Sequence, residues 1–138
     1  MPPTQEMLAL PQAVARFMAR GDDEGLRDIF AAEGVVIVEN FPPFLITGPS
    51  AVERWRDGFR AHAERNGLSE LEHRFGEPQD FALNGDRAFF VLPTTWTGRA
   101  HGQRFSETGG WAFVLEVADG RWRIRSYAWA VTSGPGGG

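Results

Sequence analysis

The sequence contains no cysteine and no lysine, and each absence excludes a class of chemistry. Without cysteine there can be no disulfide, no thiolate nucleophile and no cysteine-ligated metal. All 14 cationic residues are arginine, which excludes a phosphate-binding loop ending in Gly-Lys and a lysine Schiff base. The three histidines lack the spacing of a zinc site, so we expect no bound metal, and no motif indicates a cofactor.

Long apolar runs and basic clusters are missing as well. No apolar run approaches the roughly 18 residues of a membrane span, so no membrane is expected as a partner. The formal net charge is −4 and no basic stripe is present, which argues against nucleic acid as a partner. The first residues lack the basic and apolar segments of a signal peptide, and we therefore expect a cytoplasmic protein.

The chain is long enough for one hydrophobic core and too short for two. Of its 138 residues, 42% are hydrophobic, and they include 11 Phe and 5 Trp. We expect a single domain over residues 1–132, followed by a flexible glycine-rich tail over residues 133–138.

Helical patterns dominate the first part of the chain. An apolar stripe predicts a first helix that begins at Gln5 or at Pro11 and ends at Arg20. Asp22 or Asp23 is a suitable cap for a short second helix.

A strand and a further helix follow. The continuous Val/Ile run within Gly34–Phe41 predicts a strand that is buried on both faces. Ser50 and Glu53 match a capping box, which predicts that Ser50 caps a third helix. Asn66-Gly67 supplies the left-handed stop of that helix.

The second half of the chain changes to strand patterns. Asn84-Gly85 and Asp119-Gly120 are signals of two-residue hairpins, and a third turn is expected within residues 98–102. A bulge is expected at Gly76–Pro78. The four long antiparallel strands predicted from these turns are residues 71–83, 87–97, 103–117 and 121–131.

Both faces of this predicted sheet are apolar. In one strand Phe90 and Leu92 alternate with Phe89 and Val91. Helices can cover one face only, and monomers rarely expose a large apolar patch. We therefore predict a homodimer that buries the outer face of the sheet.

The order of these segments resembles the nuclear-transport-factor-2-like superfamily, in its ketosteroid isomerase and polyketide cyclase (SnoaL-like) branch. The resemblance implies an α+β fold in the order α-α-β-α-β-β-β-β. Its cone-shaped, curved antiparallel or mixed sheet would have N-terminal helices closing an apolar pocket. One fold of this kind hosts isomerases, dehydratases, cyclases and binding modules. The matching segments are Gly21-Asp22, Phe30-Ala31, Val38-Glu39-Asn40, residues 48–52 and residues 119–124.

The catalytic groups that the resemblance implies are not at the matching positions. The Asp base of the isomerases falls at Asn40, and an amide cannot accept a proton at neutral pH. Their tyrosine donor on the first helix falls at Val14. Because residues 87–97, 108–115 and 124–131 contain no acid, we expect no carboxylate in the pocket.

Several polar and aromatic side chains are candidates for the pocket wall. Strand alternation places Asn40 inward with Val38, to bond either a ligand or the turn that follows, and places Glu39 on the opposite face. The indoles of Trp96, Trp111 and Trp129 would form either the wall around a flat ligand or part of the dimer interface. The candidate set is Asn40, Val38, Trp55, Phe59, His62, Trp96, Trp111, Tyr127 and Trp129.

Two of these candidates have competing interpretations. His62 continues the buried stripe of the third helix, and it would either contact a ligand or bond a backbone carbonyl. Tyr127 has the only phenol of the chain, yet Arg123 and Arg125 share its face by alternation, which indicates a solvated surface.

Two functions from different classes remain open. The first is a noncatalytic domain that binds a small hydrophobic molecule without the usual catalytic carboxylate. The alternative is a cofactor-independent isomerase, dehydratase or cyclase acting on a small hydrophobic carbonyl or hydroxyl compound, with hydrogen-bond donors polarising that compound. The expected lack of acids in the pocket favours the binding domain.

Overall fold

A computed structural model describes residues 2–134, and in it a curved, mixed seven-stranded sheet packs against two helices. This α+β architecture confirms the predicted fold class. A short 3-10 turn, Arg27–Ile29, replaces the predicted second helix. The helices are α1, Gln5–Arg20, and α2, Ala51–Arg65; the strands are β1, Val36–Val38; β2, Leu45–Ile46; β3, Leu68–Phe75; β4, Gln79–Asn84; β5, Arg87–Ala100; β6, Gln103–Ala118; and β7, Arg121–Ser133.

Local capping defines both ends of α1. The Thr4 hydroxyl accepts a hydrogen bond from the backbone N–H of Met7 at 3.2 Å. Gly21 adopts the left-handed conformation, with φ of 73°, and donates to the carbonyl of Phe17. The helix therefore begins at Gln5, and Pro11 lies within it.

The segment between α1 and β1 is less regular than predicted. Gly25 has φ of 73°, a left-handed conformation that interrupts a helical path, and only one 3-10 turn follows. The strand β1 is also shorter than the predicted Gly34–Phe41. Its Val36 and Val38 are 36% and 38% exposed, so the expectation of burial on both faces is wrong for the single chain.

The start of α2 differs from the predicted capping box. Ser50 has φ of 59°, and its side chain makes no capping hydrogen bond. The guanidinium of Arg54 instead donates to the carbonyls of Thr47 and Pro49, which holds the preceding turn against the first turn of the helix. The helix ends before Asn66-Gly67, as predicted.

The sheet has the strand order β2-β1-β7-β6-β5-β3, and β4 also pairs with β5. Strand β1 runs parallel to β7, and the other pairings are antiparallel. The predicted first long strand is two strands, because the chain breaks at Gly76–Pro78. The β4–β5 turn is Gly85-Asp86, one residue later than predicted, and the β6–β7 turn is Asp119-Gly120.

An irregularity in the pairing of β6 with β7 bends the sheet near Gly109. The pairing between β6 and β7 shifts register between Thr108 and Gly109. A Cβ at Gly109 would lie 2.2 Å from the carbonyl oxygen of Ala130, so only glycine allows the two strands to approach this closely here.

The hydrophobic core lies between the helices and the concave face of the sheet. Its largest fully buried side chains include Phe17, Trp55, Phe90 and Trp111. Among residues 2–134, no helix is long and apolar enough to span a membrane. Ser133 ends β7 rather than beginning a tail, and the rest of the predicted tail from residue 135 onward lies outside the described residues.

Candidate functional site

A cavity of about 420 Å³ opens between the two helices and the concave face of the sheet. Small-molecule sites typically measure about 300–1,000 Å³. Its walls contain several aromatic side chains, with Phe59 from α2, Trp96 from β5, Trp111 from β6 and Trp129 from β7, together with polar side chains. The helices and strands that form the core therefore also form the cavity.

A carboxyl group, that of Glu39, lies in the cavity wall just after β1. Only 4% of this residue is exposed. Its Oε2 accepts a hydrogen bond from Trp55 Nε1 at 2.9 Å and another from the Tyr127 hydroxyl. In the described part of the chain Oε1 has no hydrogen-bond partner, so one oxygen is held while the other is free.

The surroundings of Glu39 change its acidity. Burial raises the pKa of this carboxyl from 4.5 to about 7, because the charged form loses its hydration. The hydrogen bonds from Tyr127 and Trp55 oppose the rise, and the charge of Glu107 adds to it. A carboxyl group with a pKa near neutrality can both accept and donate protons at pH 7.

Alternation along β1 has the opposite phase from the one predicted. Ile37 and Glu39 face inward, whereas Val38 and Asn40 are exposed. Asn40 is exposed but still lines the cavity, whereas Val38 lies on the outer face and does not line it, so the inward placement expected from alternation is wrong for Val38. A continuous apolar run gives no sign of which residues point inward, and the pairing of Ile37 with Tyr127 sets the phase here.

A second carboxyl group, that of Glu107 on β6, also lines the cavity. Burial raises the pKa of Glu107, and the indole of Trp129 beside it partly offsets that rise. The expectation that the pocket lacks carboxylates is therefore wrong. The acid-free segment 108–115 begins one residue after Glu107, and Glu39 was assigned to the wrong face.

Tyr127 and Trp55 lie behind Glu39 and do not line the cavity. Both are fully buried, so the solvated surface predicted for Tyr127 is wrong. The pairing of β7 with β6 shifts register between Ile124 and Ser126, and this irregularity at Arg125 reverses the alternation that follows. Burial and the neighbouring Glu39 raise the pKa of Tyr127 well above its usual value, which keeps the hydroxyl protonated as a donor.

His62 lines the cavity from α2, as predicted. Its ring stacks on Phe41 with centroids 4.9 Å apart, and its Nδ1 lies 3.2 Å from Nδ2 of Asn66. Burial and the nearby Arg65 lower the pKa of His62, so the ring is neutral at pH 7.

The three predicted indoles meet in one wall of the cavity. Trp96 and Trp111 have centroids 6.4 Å apart at 73°, and Trp111 and Trp129 have centroids 5.9 Å apart at 72°. Such near-perpendicular pairs form a concave aromatic corner. Within residues 2–134 the buried Nε1 of Trp111 has no hydrogen-bond partner.

Sequence analysis thus identified most of the aromatic wall and missed both acids. The structure brings Phe59, His62 and the three indoles to the cavity surface. The signal that could have found Glu39 is its position as the lone acid after a buried strand. No group of three or more potential metal ligands occurs in the described part of the chain.

Comparison with known proteins places this arrangement in a family. The sequence matches the family described as SnoaL-like domain over residues 4–128. No curated protein matches it.

Solved structures with the same fold have low sequence identity. A hexachlorocyclohexane dehydrochlorinase, LinA type 2, is 11% identical with a TM-score of 0.78, and the match covers 94% of this chain and 85% of that one. A proposed scytalone dehydratase from Novosphingobium aromaticivorans is 13% identical with a TM-score of 0.75, covering 95% and 85%. A protein of unknown function with a cystatin-like fold from Nostoc punctiforme is 18% identical with a TM-score of 0.73, covering 96% of both chains. At these identities the likeness extends to the fold.

Proposed function

This chain belongs to the SnoaL-like domain family, and on that premise we propose that it is an acid–base enzyme acting on a small hydrophobic carbonyl or hydroxyl compound. Glu39 is the group that transfers the proton. The observation that carries the proposal is a buried carboxyl in the cavity wall, held through one oxygen and with a pKa of about 7.

The hydrogen bonds to Glu39 suit it to proton transfer. Tyr127 and Trp55 fix Oε2 from behind the cavity wall, so the carboxyl cannot rotate freely. Oε1 then takes a proton from a carbon next to a substrate carbonyl and returns it to another atom of the same molecule. Near pH 7 both protonation states of Glu39 are populated, as such a shuttle requires.

The cavity also favours a substrate with a hydrophobic body. Phe59, Trp96, Trp111 and Trp129 line its wall and supply apolar contact with a small molecule. The Nε1–H of Trp111 has no hydrogen-bond partner among the described residues, and it is buried beneath the cavity surface, so it does not contact a ligand there.

The noncatalytic binding domain favoured by the sequence has less support. That interpretation depended on the absence of acids from the pocket, and Glu39 and Glu107 both line the cavity. The family fold is compatible with either function. The acid–base enzyme is therefore the better account of these residues.

Hydrogen exchange on a simple ketone tests the proposal without knowledge of the natural substrate. We expect the protein to catalyse exchange of the carbon-bound hydrogens next to the carbonyl of 2-tetralone in D2O, followed by NMR. The rate should rise with pH through about 7, because the base is the ionised form of Glu39. Glu39→Gln should lower the catalysed rate by at least about 100-fold.

The matched control is Glu116→Gln, on the same strand as Glu107 but paired with Arg87 and Arg125 outside the cavity. This variant should exchange 2-tetralone at the wild-type rate. Two results would refute the proposal that the protein is an acid–base enzyme and would favour a binding domain. One is an equal exchange rate for wild type and Glu39→Gln. The other is no catalysed exchange by the wild type when NMR shows 2-tetralone bound in the cavity.

We also propose that a second copy of the chain covers the outer face of the sheet. Val38, Ala128, Ala112 and Val91 are in register across β1, β7, β6 and β5, and they form an apolar row of small side chains. Three strands of 13 or more residues cover on the order of 600 Å². With the three residues of β1 added, this lies at the lower end of the roughly 600–1,000 Å² per partner of a standard interface.

Sedimentation equilibrium tests the dimer. The wild-type chain should sediment at twice its monomer mass, and Ala128→Arg, which places a charge in the centre of the row, should sediment as a monomer. Glu24→Gln, a charge change of the same size and sign at an exposed loop residue, should remain a dimer. A monomeric wild-type protein, or a dimeric Ala128→Arg variant, would contradict the proposal.

A further inference from the structure

The corner of the cavity around Glu107 has an unusual composition. Glu107 lies directly opposite Trp96 across the β5–β6 pair, beside Trp129, and on the same strand face as Trp111. Glu107 and the three indoles thus line the same cavity, and the indole of Trp129 lies beside its carboxyl group. In the described part of the chain no arginine or histidine forms an ion pair with it.

The ionisable groups of the cavity make its interior acidic. Glu39 and Glu107 both line it, and burial keeps His62 neutral. Arg104 lies at the mouth, where its side chain is exposed and its charge is screened by water. When ionised, two carboxyl groups in one cavity without a buried cation create a negative potential that favours a positively charged ligand.

Aromatic faces add to the same preference. Indole is the strongest of the protein rings in attracting a cation to its face, and the attraction grows when water is excluded. Trp96, Trp111 and Trp129 meet at steep angles and line the same cavity as Glu107, so a cation bound at Glu107 would lie near indole rings. The unpartnered Oε1 of Glu39 lies in the wall of the same cavity and remains available for chemistry.

We propose that the cavity takes a hydrophobic amine, whose protonated nitrogen is held by Glu107 within the corner of Trp96, Trp111 and Trp129. The carbonyl or hydroxyl group of the same molecule then faces Glu39. This proposal rests on the proposed function only because the amine would bind in the same cavity in which the acid–base reaction takes place. Binding of the amine does not require the reaction.

A matched pair of probes tests the charge preference. 2-Aminotetralin and 2-tetralol share a ring system and differ in an ammonium against a hydroxyl. At pH 8 we expect isothermal titration calorimetry to show the amine binding about tenfold more tightly than the alcohol to the wild-type protein.

Substitution of Glu107 identifies the group responsible. Glu107→Gln should reduce the preference for the amine to about twofold or less while the affinity for 2-tetralol stays within about twofold of wild type. Glu116→Gln should retain the full preference. A thermal melt of each variant establishes that it is folded before titration.

Three results would overturn the assignment. They are equal affinity of the wild type for the two probes, a preference that survives Glu107→Gln, and a preference that depends on Glu39 instead. Hydrogen exchange on 2-tetralone is measured separately from binding. A protein that catalyses this exchange but prefers neutral ligands would therefore contradict the proposed amine ligand and leave the proposed enzyme intact. A cavity that binds the amine without catalysing exchange would contradict the enzyme alone.

Discussion

Replacement of Glu39 by glutamine should change the pH dependence of stability in a direction that the structure specifies. Burial raises the pKa of Glu39 from 4.5 to about 7, so the folded state binds this proton more tightly than the unfolded state does. The free energy of unfolding therefore falls as the pH rises from about 4.5 to about 7, and this contribution is constant above that range. Glutamine does not titrate, so the variant lacks this dependence.

The magnitude follows from the size of the shift. Each pKa unit corresponds to about 1.4 kcal/mol, so the buried carboxylate costs the folded wild type about 3 kcal/mol at pH 8 relative to pH 4. At pH 4 the variant should be less stable than wild type by about 1 kcal/mol, because an amide fits the two donors less well than a carboxylic acid. At pH 8 the order should reverse.

Urea denaturation followed by tryptophan fluorescence measures the effect at pH 4.5 and pH 8, at one protein concentration so that any dimer contributes equally. The free energy difference between wild type and Glu39→Gln should change by about 3 kcal/mol between the two pH values. Other titrating groups are common to both proteins and cancel. Parallel pH profiles for the two proteins would show that Glu39 is not buried as a charge, and the reasoning would fail.

Two further substitutions test the surroundings of Glu39 and the bend of the sheet. Tyr127→Phe removes a hydrogen bond that lowers the pKa of Glu39, so the midpoint of the pH–rate profile for 2-tetralone exchange should move up by about one unit. An unchanged or lower midpoint would contradict the role of Tyr127. Gly109→Ala places a Cβ 2.2 Å from a backbone oxygen and should destabilise the fold by about 2 kcal/mol in urea, whereas Gly110→Ala, with its nearest atom at 3.6 Å, should cost less than about 0.5 kcal/mol. Equal stability of the two variants would show that the close approach at Gly109 does not limit the fold.

Local sequence patterns predicted the elements of the fold well where the chemistry is local. The end of α1 at Arg20, the stop at Asn66-Gly67 and the turn at Asp119-Gly120 all depend on residues a few positions apart, whereas the start of α1 was left open between Gln5 and Pro11. The capping box at Ser50 was wrong, because the preceding turn places Ser50 in a left-handed conformation. Arg54, four residues later, bonds the carbonyls instead.

The candidate site was predicted less well, for a reason specific to strands. Alternation has a period of two, so an error of one residue moves every side chain to the other face. The run Val35–Val38 is apolar throughout and does not show which side chains face inward, so Glu39 was assigned to the wrong face. The irregularity in β7 at Arg125 likewise reversed the alternation, so Tyr127 was assigned to the solvent face although it is buried.

The sequence by itself determined the family, the order of helices and strands, the aromatic content and the lack of thiol and amine nucleophiles. These depend on composition and on short-range periodicity. Only the tertiary structure decided that Glu39 lies in the cavity wall and meets Trp55 and Tyr127. The physical reason is that the orientation of Glu39 and its hydrogen bonds depend on the pairing of β1 with β7, about 90 residues apart in the chain. They also depend on burial, which no local sequence pattern encodes.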